Sequence, residues 1–185
     1  MGVATATETV RKLNLGCGSD LKPGEEWLNV DIDPTLGPDQ VVDLNRALPW
    51  PTGHFGEVYC CHVLEHVPFW DQLLGECFRV LAPWGKLIVR VPDFEYALRL
   101  YLTGDKPGYT NTQPRYGSPK PIDAFHLIWG EVWDGAAGRG HCMGFSWCTD
   151  RPNDLYNILE GHEFKMIQKV HTGLKFEIAV EARKP

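Results

Sequence analysis

The sequence is short of several things. It has no cluster of Lys and Arg, no apolar run of membrane-spanning length, no C-x-x-C pair, no P-loop signature and no internal repeat. A nucleic-acid groove needs a basic stripe. Its absence, with a net charge of −6 at pH 7, disfavours DNA or RNA as a partner and leaves only a single base or nucleoside open. Without about 20 consecutive apolar residues no helix spans a bilayer. Met1 to Val10 lack both a basic n-region and an apolar h-region, so they read as a frayed tail and not as a signal peptide. The six cysteines are Cys17, Cys60, Cys61, Cys77, Cys142 and Cys148, and four of them fall in expected strands, helices or the glycine turn. That is the pattern of reduced thiols in a cytoplasmic protein, not of a disulfide framework.

What remains is an ordinary globular composition, 43% hydrophobic and 23% charged, in 185 residues. That length suits one domain spanning 1–185.

The organising stretch is Lys12-Leu13-Asn14-Leu15-Gly16-Cys17-Gly18-Ser19-Asp20. An apolar run from Val10 stops at two glycines one residue apart, which reads as a buried strand turning into a tight loop. Glycine there accepts positive φ and lets backbone N–H groups approach a ligand closely. A second apolar strand, Trp27-Leu28-Asn29-Val30, ends in Asp31. Strand, glycine turn and an acid closing the next strand form the nucleoside corner of a doubly wound α/β fold.

Further along, Gln40-Val41-Val42 is a short strand closed by Asp43, and Phe55 to His62 is a fourth. Pro68 opens a helix expected over Phe69–Leu81, and Pro83-Trp84-Gly85 is expected to stop it. Lys86 to Val91 is a fifth strand. The acids and glycines fall at strand C-termini, the edge where open α/β sheets bind ligands. Phe94–Leu102 reads as a helix, 103–121 as a Gly/Pro-rich loop, and 123–133 as a short helix. A helix near 153–160 and strands 164–170 and 176–181, an antiparallel hairpin, close the chain. The fold class is therefore α/β: a Rossmann-like, mostly parallel seven-stranded sheet with helices on both faces and an antiparallel C-terminal hairpin.

Four segments in order, LNLGCGSD, NVDID, DLNRALPWPTGHFGEVYCCHVLEHVP and RVLAPWGKLIVRVPD, resemble the class I S-adenosylmethionine-dependent methyltransferases, especially the small type-11-like kind. They cover about residues 12 to 93. The resemblance implies S-adenosyl-L-methionine as cofactor, with the loop Leu15, Gly16, Cys17 and Gly18 against its methionine end. Asp31 would take the ribose hydroxyls and Ile32 would flank the adenine. Asp43 and the Leu44 backbone would face the adenine edge, and His62 would border the methionine and the acceptor pocket. Three positions depart from the family: Asn14 stands where an acid is common, Asp20 near the third glycine, and Glu57 where Asp is usual. Each departure carries an expectation of weakened or altered cofactor contacts.

A sulfonium methyl is already activated, so transfer needs in-line approach, a dry pocket and, for a hydroxyl or amine acceptor, a base. Glu65, His66 and His141 are the candidate bases. Residues 94–150, rich in Trp, Tyr and His, are expected to form a lid and acceptor pocket. The (Asn/Asp)-Pro-Pro-(aromatic) motif of amino-group DNA methyltransferases is missing after the fourth strand, which points to a small-molecule acceptor.

Rival readings are a fold that binds the cofactor without catalysis, and a zinc hydrolase using His62, Glu65 and His66. The latter spell H-x-x-E-H, which needs a long helix where a strand and Pro68 stand. A set of His126, His141, Cys142 and Cys148 fits no standard zinc spacing, so no metal site is expected. A nicotinamide fingerprint fails because Leu21 occupies its third glycine position.

Overall fold

The computed structural model describes residues 11–105, 110–111, 120–121, 128, 140–147 and 154–185. Strands β1 (Arg11–Leu15), β2 (Trp27–Asp31), β3 (Gln40–Val41), β4 (Phe55–Cys61) and β5 (Leu81–Pro92) are followed by short β6 (Thr110–Asn111) and β7 (Lys120–Pro121). Strands β8 (Lys165–Val170) and β9 (Glu177–Arg183) end the chain. The helices whose bounds fall among the described residues are α1 (Trp70–Val80), α2 (Phe94–Thr103) and α3 (Leu155–Gly161).

The main sheet has seven strands in the order β3-β2-β1-β4-β5-β9-β8. Pairs among β1 to β5 are parallel; β9 runs antiparallel to both β5 and β8. The chain leaves β1 in one direction for β2 and returns on its other side as β4. This places the switch point, where ligands bind in open α/β sheets, between the C-terminal ends of β1 and β4.

Alternation along the strands separates two faces. Leu13, Leu15, Leu28, Val30, Val58, Cys60, Leu87, Val89, Ile178 and Val180 point into the core. There they meet Leu73, Leu74, Cys77 and Val80 of α1 and Leu155 and Leu159 of α3. Each such large apolar side chain contributes about 1.5–3 kcal/mol on burial. The opposite face is polar and aromatic. Lys12 lies over the Trp27 ring at 5.3 Å, Trp27 meets Tyr59 edge-on, and Lys86 pairs with Glu57 at 3.0 Å. These are cross-strand neighbours, the pairing unit of a sheet.

The links from β1 to β2, β2 to β3 and β3 to β4 contain no α-helix, only a 3-10 turn at Pro34–Leu36. Loops therefore wind the first half of the sheet where a doubly wound pattern would place helices. The Pro83-Trp84-Gly85 signal also acts differently from expectation. It does not end α1, which gives way directly to β5 at Leu81; it makes a bulge inside β5. Trp84 takes φ +63°, the register against β4 slips, and Trp84 N–H donates to Lys184 O at 2.8 Å. Helix α2 begins at the Asp93 cap, whose carboxylate accepts from Tyr96 N–H at 3.0 Å.

Candidate active site

At the end of β1 the chain turns through Gly16 (φ +56°) and Gly18 (φ +52°). Only glycine enters this region without strain. At Gly16 space matters as well: a Cβ there would sit 2.6 Å from Val63 Cγ2, so the loop after β1 packs directly on the turn after β4. At Gly18 a Cβ would meet nothing within 4 Å, which leaves an open cradle beside the backbone.

Asp31 closes β2 and faces that cradle. Its Oδ2 accepts from Gly18 N–H at 2.8 Å and its Oδ1 from Asp33 N–H at 3.0 Å. Each carboxylate oxygen keeps acceptor capacity for a vicinal diol, which is the fit the ribose of S-adenosylmethionine requires. Ile32 follows at 61% exposure, an apolar surface with nothing on it. Cys17 is buried, and burial, helped by the Asp31 charge, pushes its thiol up to about 11, so it is an inert spacer. The Asp43 carboxylate is engaged locally. It accepts from Asn45 N–H and Nδ2 and from Arg46 Nε, which holds its pKa below the usual range and closes the turn that buries Leu44.

The departures at Asn14 and Glu57 have structural roles. Asn14 Nδ2 donates to Asp20 O (2.8 Å) and to Asn29 Oδ1 (2.9 Å), while Asn29 in turn holds Lys22 N–H and Asp39. Asn14 is buried and faces two acceptors, so an acid there would be repelled by both. Glu57 sits near the start of β4 in the pair with Lys86, on the polar face.

Strand β4 ends at Cys61, and His62 turns the chain with φ +53°. A non-glycine residue there is strained and is held by its surroundings. Its N–H donates to Arg90 O at 2.8 Å, Nε2 lies 3.1 Å from Glu177 Oε2, and Nδ1 lies 3.3 Å from Glu65 Oε1. Burial alone would lower the imidazole pKa. The bonds to Glu177 and Glu65 outweigh it and raise it to about 10, although 38% of the side chain is open. Glu177 shows the converse: burial pushes it up, but His62, Thr172 and Arg90 pull it down to about 2. Arg90 Nη2 meets Glu177 Oε1 at 2.5 Å, and Nη1 reaches Tyr59 Oη at 3.2 Å. His62 is thus a cation wedged between two carboxylates, not a free base.

Beyond it, Leu64–His66 forms a single 3-10 turn and not the long helix of a zinc hydrolase. The segment of residues 140–145 lies on that turn. Cys142 N–H donates to Glu65 O at 2.5 Å, His66 Nδ1 lies 3.3 Å from Gly140 O, and the His66 and His141 rings meet with centroids 4.8 Å apart. Glu65 and His66, adjacent in the chain, are therefore neighbours of the remote His141. Arg90, Glu177 and Tyr59 were missed by sequence reasoning. The available signal was a lone charge inside an otherwise apolar strand, in LIVRVP and in FEIAV. His126, Cys148, the expected helix 123–133 and most of the expected lid lie outside the described residues.

Residues 13–89 match the family model for a methyltransferase domain. That stretch, which holds the glycine turn, Asp31, Asp43 and His62, is similar to a methyltransferase domain. The chain is 37% identical over 81 residues to the ubiquinone/menaquinone biosynthesis C-methyltransferase UbiE of Laribacter hongkongensis. That match covers 37% of this chain and 33% of the relative, so the chain spans about a third of the relative's length. The fold also matches that of an S-adenosylmethionine-dependent methyltransferase from Mesorhizobium loti, with a TM-score of 0.57 and 18% identity over 95% of this chain and 91% of that one. The 4+2 cyclase SpnF is similar too, with a TM-score of 0.55 and 14% identity over 95% of this chain and 75% of that one. One fold thus accompanies more than one chemistry among the relatives, and the site must carry the functional argument. No helix among the described residues is long and apolar enough to cross a membrane.

Proposed function

We propose that this protein is an S-adenosylmethionine-dependent methyltransferase acting on a small-molecule acceptor. One observation carries the reading: Gly18 N–H and Asp33 N–H fix the Asp31 carboxylate at the mouth of an open glycine cradle, beside the exposed Ile32. Bound there, the cofactor supplies an activated methyl group. The residues from Leu15 to Gly18 would hold its amino-acid end through backbone groups, and Asp31 its ribose. Ile32 would cover the adenine, with Asp43 and Leu44 at its edge. His62 would stand at the methionine end, fixed by Glu177 and Glu65.

The acceptor belongs on the far side of His62, against His66 and His141, where an acceptor proton meets imidazole nitrogen. His62 is held as a cation between two carboxylates, so proton removal falls to His66 or His141. The acidic net charge and the lack of a basic stripe support a small-molecule acceptor over a nucleic acid. The five described cysteines are all free, in keeping with a reducing, cytoplasmic setting.

The test is turnover: incubation with labelled cofactor and a panel of hydroxyl-, amine-, thiol- and carbon-acid acceptors. Transfer that is lost in Asp31→Ala supports the reading. Cofactor binding without transfer to any acceptor class supports the non-catalytic alternative.

A further inference from the structure

Glu65 is 1% exposed, and its two carboxylate oxygens have different fates. Oε1 meets His62 Nδ1, while Oε2 is buried and has no hydrogen-bond partner. A buried carboxylate oxygen left unpaired is costly, on the order of 1–3 kcal/mol or more for a charged group. The surroundings suggest what it serves. One carboxylate oxygen of Glu65 and one ring nitrogen each from His66 and His141 lie within 4.8 Å of one another.

His66 is also oriented. A backbone carbonyl can only accept, so the 3.3 Å contact to Gly140 O makes Nδ1 the protonated nitrogen and leaves Nε2 with its lone pair. A carbonyl that fixes the tautomer of a histidine in this way is the usual outer support of a metal-bound imidazole.

We propose that Glu65, His66 and His141 form a binding site for a divalent transition-metal cation of the zinc class. Two imidazoles and one carboxylate suit zinc, iron(II) or manganese(II) better than calcium or magnesium. Bonds of about 2.0–2.2 Å would draw the three donor atoms inward to roughly 3.4 Å apart, within reach of side-chain rotation from 4.8 Å. Three protein ligands leave at least one position open, as in catalytic zinc sites. This triad is not the H-x-x-E-H set: His62 is excluded because both its nitrogens are held by carboxylates, and His141 arrives from a segment 75 residues beyond His66. The site stands on this geometry. Its role, to take an oxygen, nitrogen or sulfur of the methyl acceptor in the open position and acidify it in place of an imidazole base, rests on the acceptor placement proposed above.

The test is titration of chelator-treated, metal-free full-length protein with Zn²⁺ by calorimetry, and with Co²⁺ by visible absorption. The expected result is one Zn²⁺ per chain and a four- or five-coordinate Co²⁺ spectrum. Affinity should fall about 100-fold or more in His141→Ala and in His66→Gln, beyond what loss of an outer support causes. It should be unchanged in the exposed His171→Ala. Far-UV circular dichroism and S-adenosylmethionine affinity of the metal-free variants check their folding, and using two variants keeps the test decisive if one of them misfolds. Absence of stoichiometric binding, or binding that survives both substitutions, would overturn the site. Cofactor binding without Zn²⁺ binding sinks this inference alone; Zn²⁺ binding without cofactor binding sinks the functional reading and leaves the metal site standing.

Discussion

His62 Nε2 and Glu177 Oε2 lie 3.1 Å apart although 115 residues separate them in the chain. The contact ties the turn after β4 to the start of β9 and, through Glu177 and Arg90, to β5. Burying these charges is tolerable because each has a partner. Removing one member leaves the others exposed to a cost they do not bear together.

Glu177 therefore gives the fold an acid-sensitive contribution. Its folded pKa of about 2 is below the ordinary 4.5, so the stabilisation is complete above pH 4.5 and is lost as pH falls through about 2. The size is on the order of 2 kcal/mol. Chemical denaturation at pH 6 and pH 3 should show the difference in wild type and a flatter profile in Glu177→Gln, which should also be less stable at pH 6. Parallel pH profiles in the two proteins would refute the assignment.

Asn14→Asp should destabilise by about 1–3 kcal/mol, because a buried carboxylate would face Asp20 O and Asn29 Oδ1 in place of donors. Urea midpoints check this. A variant as stable as wild type would mean that the acid common in the family at this position is tolerated here too.

Gly16→Ala and Gly18→Ala should part company. Both incur left-handed strain of about 1–2 kcal/mol. Only Gly16→Ala drives a methyl into Val63, 2.6 Å from Cγ2, so it should lose more stability. Gly18→Ala should stay folded and lose cofactor affinity, since its methyl would point into open space beside the Asp31 carboxylate. Melting temperatures paired with cofactor titrations separate the two effects.

Glu57→Ala removes a partly buried cross-strand pair with Lys86 on the polar face. Its stability cost should stay within about 1 kcal/mol, and its cofactor affinity should equal that of wild type. A tenfold weaker affinity would restore Glu57 to the site.

The strand–glycine–acid corner was legible in the sequence because its parts are local: Gly16, Gly18 and Asp31 follow one another within a single β-loop-β unit. The expectation of a mostly parallel sheet came from the same local repetition. What the sequence hid depends on long-range closure. Arg90 and Glu177 meet only because β9 inserts antiparallel beside β5. The grouping of Glu65 and His66 with His141 needs residues 140–145 laid across the turn after β4. The Pro83-Trp84-Gly85 stop was misread as a helix terminator because proline and glycine serve a bulge equally well. The expectation that Asn14 weakens the cofactor site missed its amide as a donor to the loop at Asp20.

Calorimetric titration of metal-free protein with S-adenosylmethionine and its demethylated product, beside Asp31→Ala and His141→Ala, tests the central claim most directly. Micromolar binding in wild type and in His141→Ala, abolished in Asp31→Ala, is the expected result. Wild-type protein that binds neither compound, or binding unaffected by Asp31→Ala, would contradict it.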